Sequence, residues 1–260
     1  MKIFKSKHKL QKEILNIKNI SFVPTMGGLH RGHLSLIKKS KTFKGKSVVS
    51  IFINPKQFDE KKDFLKYPRN LKKDLMILRR LNVDLVYLPN FKDIFSFQIK
   101  NKIFIDKFSN KLCGKSRKGH FKGVLNIVNR FLELIKPKYI FLGIKDFQQS
   151  YLITKHINKR KINTKVINCK TIREKSGLAC STRNNNLTGK QLKIASNVIK
   201  YLKGKKKLIK KKLTNFKLIS IKDIWPLCKP PIVGTKDMFL IFKISFCNLC
   251  LLLNIFIYLL

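Results

Sequence analysis

The segment Pro24-Thr-Met-Gly-Gly-Leu-His-Arg-Gly-His33 sets two histidines three residues apart directly behind a glycine pair. On a helix that spacing puts both imidazoles on one face, where they can donate to the oxygens of a nucleotide triphosphate as charge builds during displacement. Gly27 and Gly28 permit a tight turn and close backbone approach. A helix starting near Arg31 would aim N–H groups and its positive dipole end at an anion, as a phosphate cradle. A zinc pair or two surface histidines are the alternatives, but zinc needs a third ligand, which no HExxH pattern or flanking Cys supplies. Further along, the neutral amides of Asn54 and Gln57 could fix the hydroxyl and carboxylate of a hydroxy acid. Lys145 beside Asp146 could bind phosphate and help hold Mg²⁺ and ribose, or form a surface ion pair. Gln149 lies one helical turn beyond Asp146. Ser181-Thr182-Arg183 offers two hydroxyls and a guanidinium that could clamp β- and γ-phosphates, or a plain helix cap.

These residues need a scaffold that repeats strand and helix. Residues 20–23 (ISFV), 47–53 (SVVSIFI), 83–88 (VDLVYL), 139–142 (YIFL) and 165–167 are apolar or β-branched runs halted by turn residues or proline, and 102–105 reads as a further short strand. Helices are expected over His30 to Lys41, Asn70 to Leu81, Val124 to Ile135 and Asp146 to Ile157, several with Leu or Ile at helical spacing. Strands alternating with helices imply right-handed crossovers and a mostly parallel sheet. Asn54, Gln57, Lys145 and Asp146 then follow strand ends, at the carboxyl edge where such sheets bind ligands.

The chain has 260 residues, 44% of them hydrophobic, including 20 Phe, which excludes a disordered protein; 12 Gly and 8 Pro exclude collagen-like material. Its net charge of +45, from 58 basic and 13 acidic residues, suggests nucleic acid or an anionic surface at first sight. Only nine of the basic residues are Arg (31, 69, 79, 80, 117, 130, 160, 173 and 183), and the Lys are spread along the whole chain rather than gathered on one stripe. A solvated Lys surface and no specific nucleic-acid partner are therefore expected. Six Cys without a regular framework and no apolar stretch behind Met1 to Leu10 point to the cytoplasm. Residues 239–260 hold one charge, Lys243, and are long enough to span a membrane, but Lys243, Asn248 and Asn254 argue against a clean span, so no membrane partner is expected. The Cys247 and Cys250 pair sits among Leu and Phe and reads as apolar burial rather than metal or redox chemistry. The character of the chain changes after about Thr188: residues 200–212 are Lys-dense and 213–237 irregular. A boundary is placed near 185, giving domains 1–185 and 186–260.

The first segment resembles the HxGH signature of the nucleotidyltransferases, related to the HIGH motif of class I aminoacyl-tRNA synthetases. Five further stretches narrow the likeness. Ser50-Ile-Phe-Ile-Asn-Pro-Lys-Gln-Phe58 with Tyr67-Pro-Arg-Asn-Leu-Lys-Lys-Asp-Leu75 is similar to SIFVNPxQF and YPRTLxxDL of the pantothenate synthetase (pantoate–β-alanine ligase) family. Gly114-Lys-Ser-Arg-Lys-Gly-His-Phe-Lys-Gly-Val124 resembles its GxSRPGHFRGV, Gly143-Ile-Lys-Asp-Phe-Gln-Gln149 its GEKDFQQ, and Arg173 through Asn184 its REXDGLAxSSRN. The resemblance covers residues 20 to about 190. It implies a Rossmann-like α/β nucleotidyltransferase domain with a smaller, divergent C-terminal lid region. It also implies condensation of pantoate with β-alanine through a pantoyl adenylate, using ATP as substrate and Mg²⁺, in a homodimer. Catalytic roles would fall to His30, His33, Lys145 and Arg183, with Ser181 to Arg183 as the counterpart of the KMSKS element. ATP contacts would come from Met26, Gly27, Gly28, Leu29, His30, Arg31, Gly32, His33, Gly143, Ile144, Lys145, Asp146, Ile172, Cys180, Ser181, Thr182 and Arg183, and pantoate or β-alanine contacts from Gln57, Gln149 and Asn54. No resident metal site is expected.

Four departures stand out. Ile144 replaces the usual Glu, Cys180 a small or apolar residue, Thr182 a Ser, and Asn185-Asn186 a Gly-Tyr pair. Thr182 keeps its hydroxyl, whereas Ile144 removes a carboxylate beside the nucleotide. Gly119-His120-Phe121 reads equally well as an ordinary glycine-rich loop.

Overall fold

The computed structural model describes residues 1–58 and 61–204. They form two units, one of residues 1–143 with 148–170, the other of residues 144–147 with the chain from 171 onward. The Lys-dense stretch past residue 204, the irregular segment 213–237, the apolar stretch 239–260 and the Cys247 and Cys250 pair lie outside the described residues.

The first unit is built on a parallel sheet of strands β1 (Lys2–Phe4), β2 (Ile20–Thr25), β3 (Lys46–Ile51), β4 (Leu85–Tyr87), β5 (Tyr139–Gly143) and β6 (Lys165–Cys169). Their order is β1-β4-β3-β2-β5-β6, every pairing parallel. The expected α/β class with a parallel sheet holds. Helices α1 (Lys7–Ile14), α2 (Arg31–Lys41), α3 (Lys61–Lys66), α4 (Leu71–Arg80), α5 (Phe91–Phe95), α6 (Cys113–Ser116), α7 (His120–Ile135) and α8 (Phe147–Lys159) connect or flank the strands.

The strands read as continuous apolar runs because both of their faces are covered. Phe22 and Val23, Val48 and Val49, and Ile140 and Phe141 are adjacent residues that point to opposite faces, yet all six are completely buried. On one face Val23, Val49, Val86 and Phe141 pack with Leu29, Ile37 and Leu78 of the α2 and α4 layer. On the other, Phe131 of α7 meets Phe22 and Tyr87 edge-on, at ring-centroid distances of 5.4 and 6.2 Å. Each such side chain contributes about 1.5–3 kcal/mol by burial, so the middle strands are held from both sides. The strand order reverses between β2 and β5, and in sheets of this kind ligands bind beyond the carboxyl ends of the strands flanking that point. β2 leads directly into the glycine pair and the histidines.

Two expectations are corrected. Residues 102–105 form no strand: their segment is tied instead by side chains of α7 and α8, with Phe104 N donating to His156 Nδ1 at 3.0 Å and Asn129 Nδ2 donating to Asn101 O at 2.7 Å. Glu133 takes the amides of Lys100 and Asn101 at 2.9 and 2.7 Å, so the backbone is satisfied without a ladder. Helix α7 starts at His120 rather than Val124, because Gly119 adopts a left-handed conformation (φ 80°) that turns the chain into it.

In the second unit, Ile144–Asp146 is a 3-10 turn, and residues 172–180 fold back as a short antiparallel loop around the Arg173 to Ala179 bridge. Helix α9 (Gly189–Gly204) opens with a reciprocal cap: Gln191 Oε1 accepts from Thr188 N at 2.9 Å while Thr188 Oγ1 accepts from Gln191 N at 3.3 Å. No helix among the described residues is long and apolar enough to cross a membrane.

Candidate active site

The glycine turn follows from β2 by necessity. Thr25 Oγ1 donates to Ser50 O at 2.7 Å and accepts from Gly27 N at 3.3 Å, which tucks the chain back across β3. Gly27 and Gly28 both have positive φ, 77° and 61°, where a side chain is strained. A Cβ on Gly27 would also lie 2.9 Å from Asp74 Oδ2 and 3.1 Å from Ile51 Cγ2. Asp74, on α4 and 2% exposed, accepts from Gly28 N at 2.9 Å and from Leu29 N at 2.8 Å. These amides, which the sequence suggested as an anion cradle, are thus bound to a protein carboxylate. Asp74 has a sequence signal that went unread: it occupies a helix face shared with Leu78, and an acid on a core-facing stripe must find donors.

His30 and His33 start α2 as a reciprocal cap. His30 Nδ1 accepts from Gly32 N at 3.1 Å, and His33 Nδ1 accepts from His30 N at 3.4 Å; the rings lie 4.1 Å apart, tilted by 41°. With Nδ1 accepting in each ring, the proton of the neutral imidazole sits on Nε2. Both histidines are partly exposed, Arg31 is exposed, and Leu29 is buried in the core, so its side chain cannot serve a ligand.

The turn Pro55–Gln57 brings the second motif alongside. Gln57, 9% exposed, donates from Nε2 to the sulfur of Met26, which joins it to the glycine turn. Its carbonyl accepts from His120 Nδ1 at 2.6 Å, while Arg117 Nη1 lies 3.1 Å from His120 Nε2. Arg can only donate, so His120 accepts at Nε2 and carries its proton on Nδ1. Asn54 departs from expectation. It is completely buried, its Nδ2 donates to Gly123 O at 3.1 Å and its Oδ1 accepts from Lys56 N at 3.2 Å, so the fold uses both ends of the amide to shape the turn. Gly123 is required there, since a Cβ would fall 2.1 Å from Lys56 O. His120 and Gly123, on the first turn of α7, therefore fix the backbone that carries Gln57. The two glutamines of GIKDFQQ divide as well. Gln148 is buried and ties α6 and the chain before it, accepting from Cys113 N at 3.1 Å and donating to Phe108 O and Lys111 O at 2.8 Å; Gln149 is half-buried on α8.

Gly143 ends β5. In the second unit Ile144, Lys145 and Asp146 are all partly exposed, and Lys145 Nζ lies 3.0 Å from Asp146 Oδ1. Ser181 caps the 3-10 turn Thr182–Asn186 by accepting from Arg183 N at 3.3 Å. Ser181, Thr182 and Arg183 are partly exposed. Cys180 is 1% exposed, its amide donating to Ile172 O at 2.9 Å and its thiol to Glu174 Oε1 at 2.9 Å, so its side chain supports the loop. Ile172 is partly exposed on the facing arm.

A family model described as Pantoate-beta-alanine ligase matches residues 2–229. A pantothenate synthetase of Francisella tularensis subsp. novicida is 43% identical over 203 residues, which cover 76% of this chain and 77% of the relative. Among solved structures, the pantoate-beta-alanine ligase of Francisella tularensis complexed with beta-gamma ATP and beta-alanine is similar at a TM-score of 0.73 and 42% identity, covering 77% of this chain and 78% of that one. The pantothenate synthetase of Thermus thermophilus is similar at a TM-score of 0.75 and 30% identity, covering 80% and 75% of the two chains.

Proposed function

The chain belongs to the pantoate-beta-alanine ligase family, and from this we infer that it catalyses the ATP-dependent condensation of pantoate with β-alanine to pantothenate. The observation that carries the reading is the join between two motifs at the carboxyl end of β2: the reciprocally capped His30 and His33, and Gln57 held to the same glycine turn through Met26.

The reaction proceeds in two displacements. The pantoate carboxylate attacks the α-phosphorus of ATP, forming a mixed anhydride and releasing pyrophosphate. The amine of β-alanine then attacks the pantoyl carbonyl, AMP leaves with the anhydride oxygen, and the amide nitrogen loses a proton. His30 and His33 donate from Nε2–H to phosphate oxygens as charge accumulates on them; one such preorganised donor is worth about 10²–10³ in rate. Gln57 and Gln149 supply amides to the hydroxy acid. Lys145 and the Ser181 to Arg183 turn add charge and hydroxyl donors toward the phosphates, with Gly143, Ile144, Ile172 and Cys180 contributing backbone. Ile144 offers no carboxylate, which leaves Asp146 to serve the ribose or metal side.

The residues suit a Mg²⁺ ion that arrives with the nucleotide rather than one in a protein cage. Asp74 is buried and engaged by two amides, whereas Asp146, paired with Lys145, is partly exposed and could ligate an ion whose other oxygens come from phosphate and water. Such an ion would neutralise triphosphate charge. The family resemblance also supports a homodimer in the cytoplasm.

The test is exchange of labelled pyrophosphate into ATP. Exchange that requires pantoate, and that falls by about 10²–10³ in His33→Ala, supports the assignment. Exchange indifferent to pantoate removes the substrate, and full exchange in the variant removes the histidine role.

A further inference from the structure

The glycine turn presents the adjacent amides of Gly28 and Leu29 to one anion, but that anion belongs to the protein. We propose that Asp74 is the positioning residue of the histidine pair: its carboxylate occupies, as an internal anion, the place a phosphate would take in a glycine turn, and so holds the His30 amide that fixes the His33 imidazole in the Nε2–H form that donates to the nucleotide. The last clause rests on the reaction inferred above; the clasp itself does not.

The geometry is specific. The two carboxylate oxygens divide the work, Oδ2 taking Gly28 N at 2.9 Å and Oδ1 taking Leu29 N at 2.8 Å, both within the range of charge-assisted bonds. Asp74 is 2% exposed, so loss of these donors would leave a carboxylate without compensation in a site closed to water. Gly27 has no room for a side chain because Asp74 Oδ2 stands 2.9 Å from where its Cβ would be. The residue after Leu29 is His30, whose own N–H reaches His33 Nδ1 at 3.4 Å. That bond is the longer of the two in the cap. A small rotation of the Gly28 and Leu29 peptides would break it, and with it the constraint on the His33 tautomer. Helix α4 does not depend on Asp74 for its own start, since Asn70 caps it by accepting from Lys73 N at 3.0 Å.

Asp74→Asn separates this role from general stability. An asparagine can accept through one atom only, and its NH₂ would oppose the other amide, so one half of the clasp is lost. In pyrophosphate exchange we expect kcat to fall by about 10²-fold, the effect of small misplacements at a reacting centre, with the KM for ATP little changed. Two-bond ¹⁵N correlation spectra of the histidines should show His30 and His33 as Nε2–H tautomers in the wild type and His33 as a mixture of tautomers in the variant, with His120 and His156 unaltered. Asn70→Ala, which weakens the same helix without touching the turn, should lower Tm but leave both the spectra and kcat in place. The proposal is overturned if Asp74→Asn retains the His33 tautomer with kcat within about twofold of wild type, or if Asn70→Ala reproduces its effects. Should Asp74→Asn not fold, the wild type decides: Gly28 and Leu29 amides that exchange with solvent as slowly as those of β2 support the clasp, and fast exchange overturns it. The spectra and amide exchange need no substrate, so a wild type with the expected tautomers but no pantoate-dependent exchange would overturn the reaction and leave the clasp standing.

Discussion

His30 and His33 each accept a backbone amide through Nδ1, so one pair of bonds both starts helix α2 and sets the tautomer of two imidazoles. Helix capping and the proposed donation to a nucleotide thus fall on the same two histidines, and the two can be separated by substitution.

His33→Glu is the substitution that separates them. Glu is the usual partner at this position of a capping box, so the helix start should survive, with a change in stability of no more than about 0.5 kcal/mol. The Nε2–H donor is gone, and a negative charge replaces it beside the phosphates. Pyrophosphate exchange should drop by at least about 10²-fold while the urea midpoint holds. A variant that loses both together would show that capping, not donation, is the main task of His33.

Asn54→Ala should behave as a structural lesion. It leaves the buried Gly123 O without its donor, which costs about 1–3 kcal/mol for a buried group left unsatisfied, and removes the partner of Lys56 N. Urea denaturation should register that loss. If stability is unchanged and only the KM for pantoate rises, Asn54 faces substrate after all.

Gly123→Ala tests the packing of α7 against the turn that carries Gln57. In an isolated helix the change would stabilise by about 1 kcal/mol. Here the new methyl would meet Lys56 O at 2.1 Å, so either the turn or the helix must move. The expected result is a destabilised protein with a raised KM for pantoate. A more stable variant with normal kinetics would contradict the close approach.

His156 makes the fold sensitive to acid. It is fully buried, accepts from Phe104 N and shares its Nε2 hydrogen with Asn129 Oδ1 at 3.0 Å, and burial, aided by Arg160 and opposed by Glu133, pushes its pKa down from 6.5 to about 4. The unfolded chain takes up a proton near pH 6.5 and the folded chain only near 4, so stability is level above that window and falls on acidification within it. One pKa unit is about 1.4 kcal/mol, so wild type should be about 2 kcal/mol less stable at pH 5 than at pH 7. Urea titrations of wild type and His156→Gln at both pH values measure this, and equal slopes in the two proteins would remove His156 from the account.

The strands of the middle of the sheet were legible because both their faces are covered: ISFV, SVVSIFI and YIFL are unbroken apolar runs that no half-exposed strand requires. β1 was not legible, since Lys2–Phe4 has no pattern of its own and exists through pairing with β4, where Lys2 N donates to Asp84 O at 2.8 Å. Residues 102–105 carry strand-like composition, and nothing local reveals that His156, Asn129 and Glu133, 28 to 52 positions away, supply the partners a ladder would have given. At the site, the types and spacing of His30, His33 and Gln57 were readable from their motifs. Which amide serves a ligand and which serves the fold was not: Asn54 and Gln57 look alike on paper, and only their depth and partners distinguish them. The same holds for Gln148 and Gln149. Asp74 stands in the Tyr67 to Leu75 motif and on a core-facing stripe, which marks it as an acid in need of donors, but that those donors are two backbone amides 45 and 46 residues away leaves no trace in composition.

β2 lies between β3 and β5, with apolar side chains above and below it, so no edge is open from which it can peel away. Fraying that begins at β1 or β6 must pass through a neighbouring strand before it reaches Thr25. The glycine turn rides on the part of the sheet that lets go last. Heating or denaturant should therefore leave the Gly28 and Leu29 amides protected up to the point at which the whole sheet melts, and their exchange should follow the unfolding curve rather than precede it.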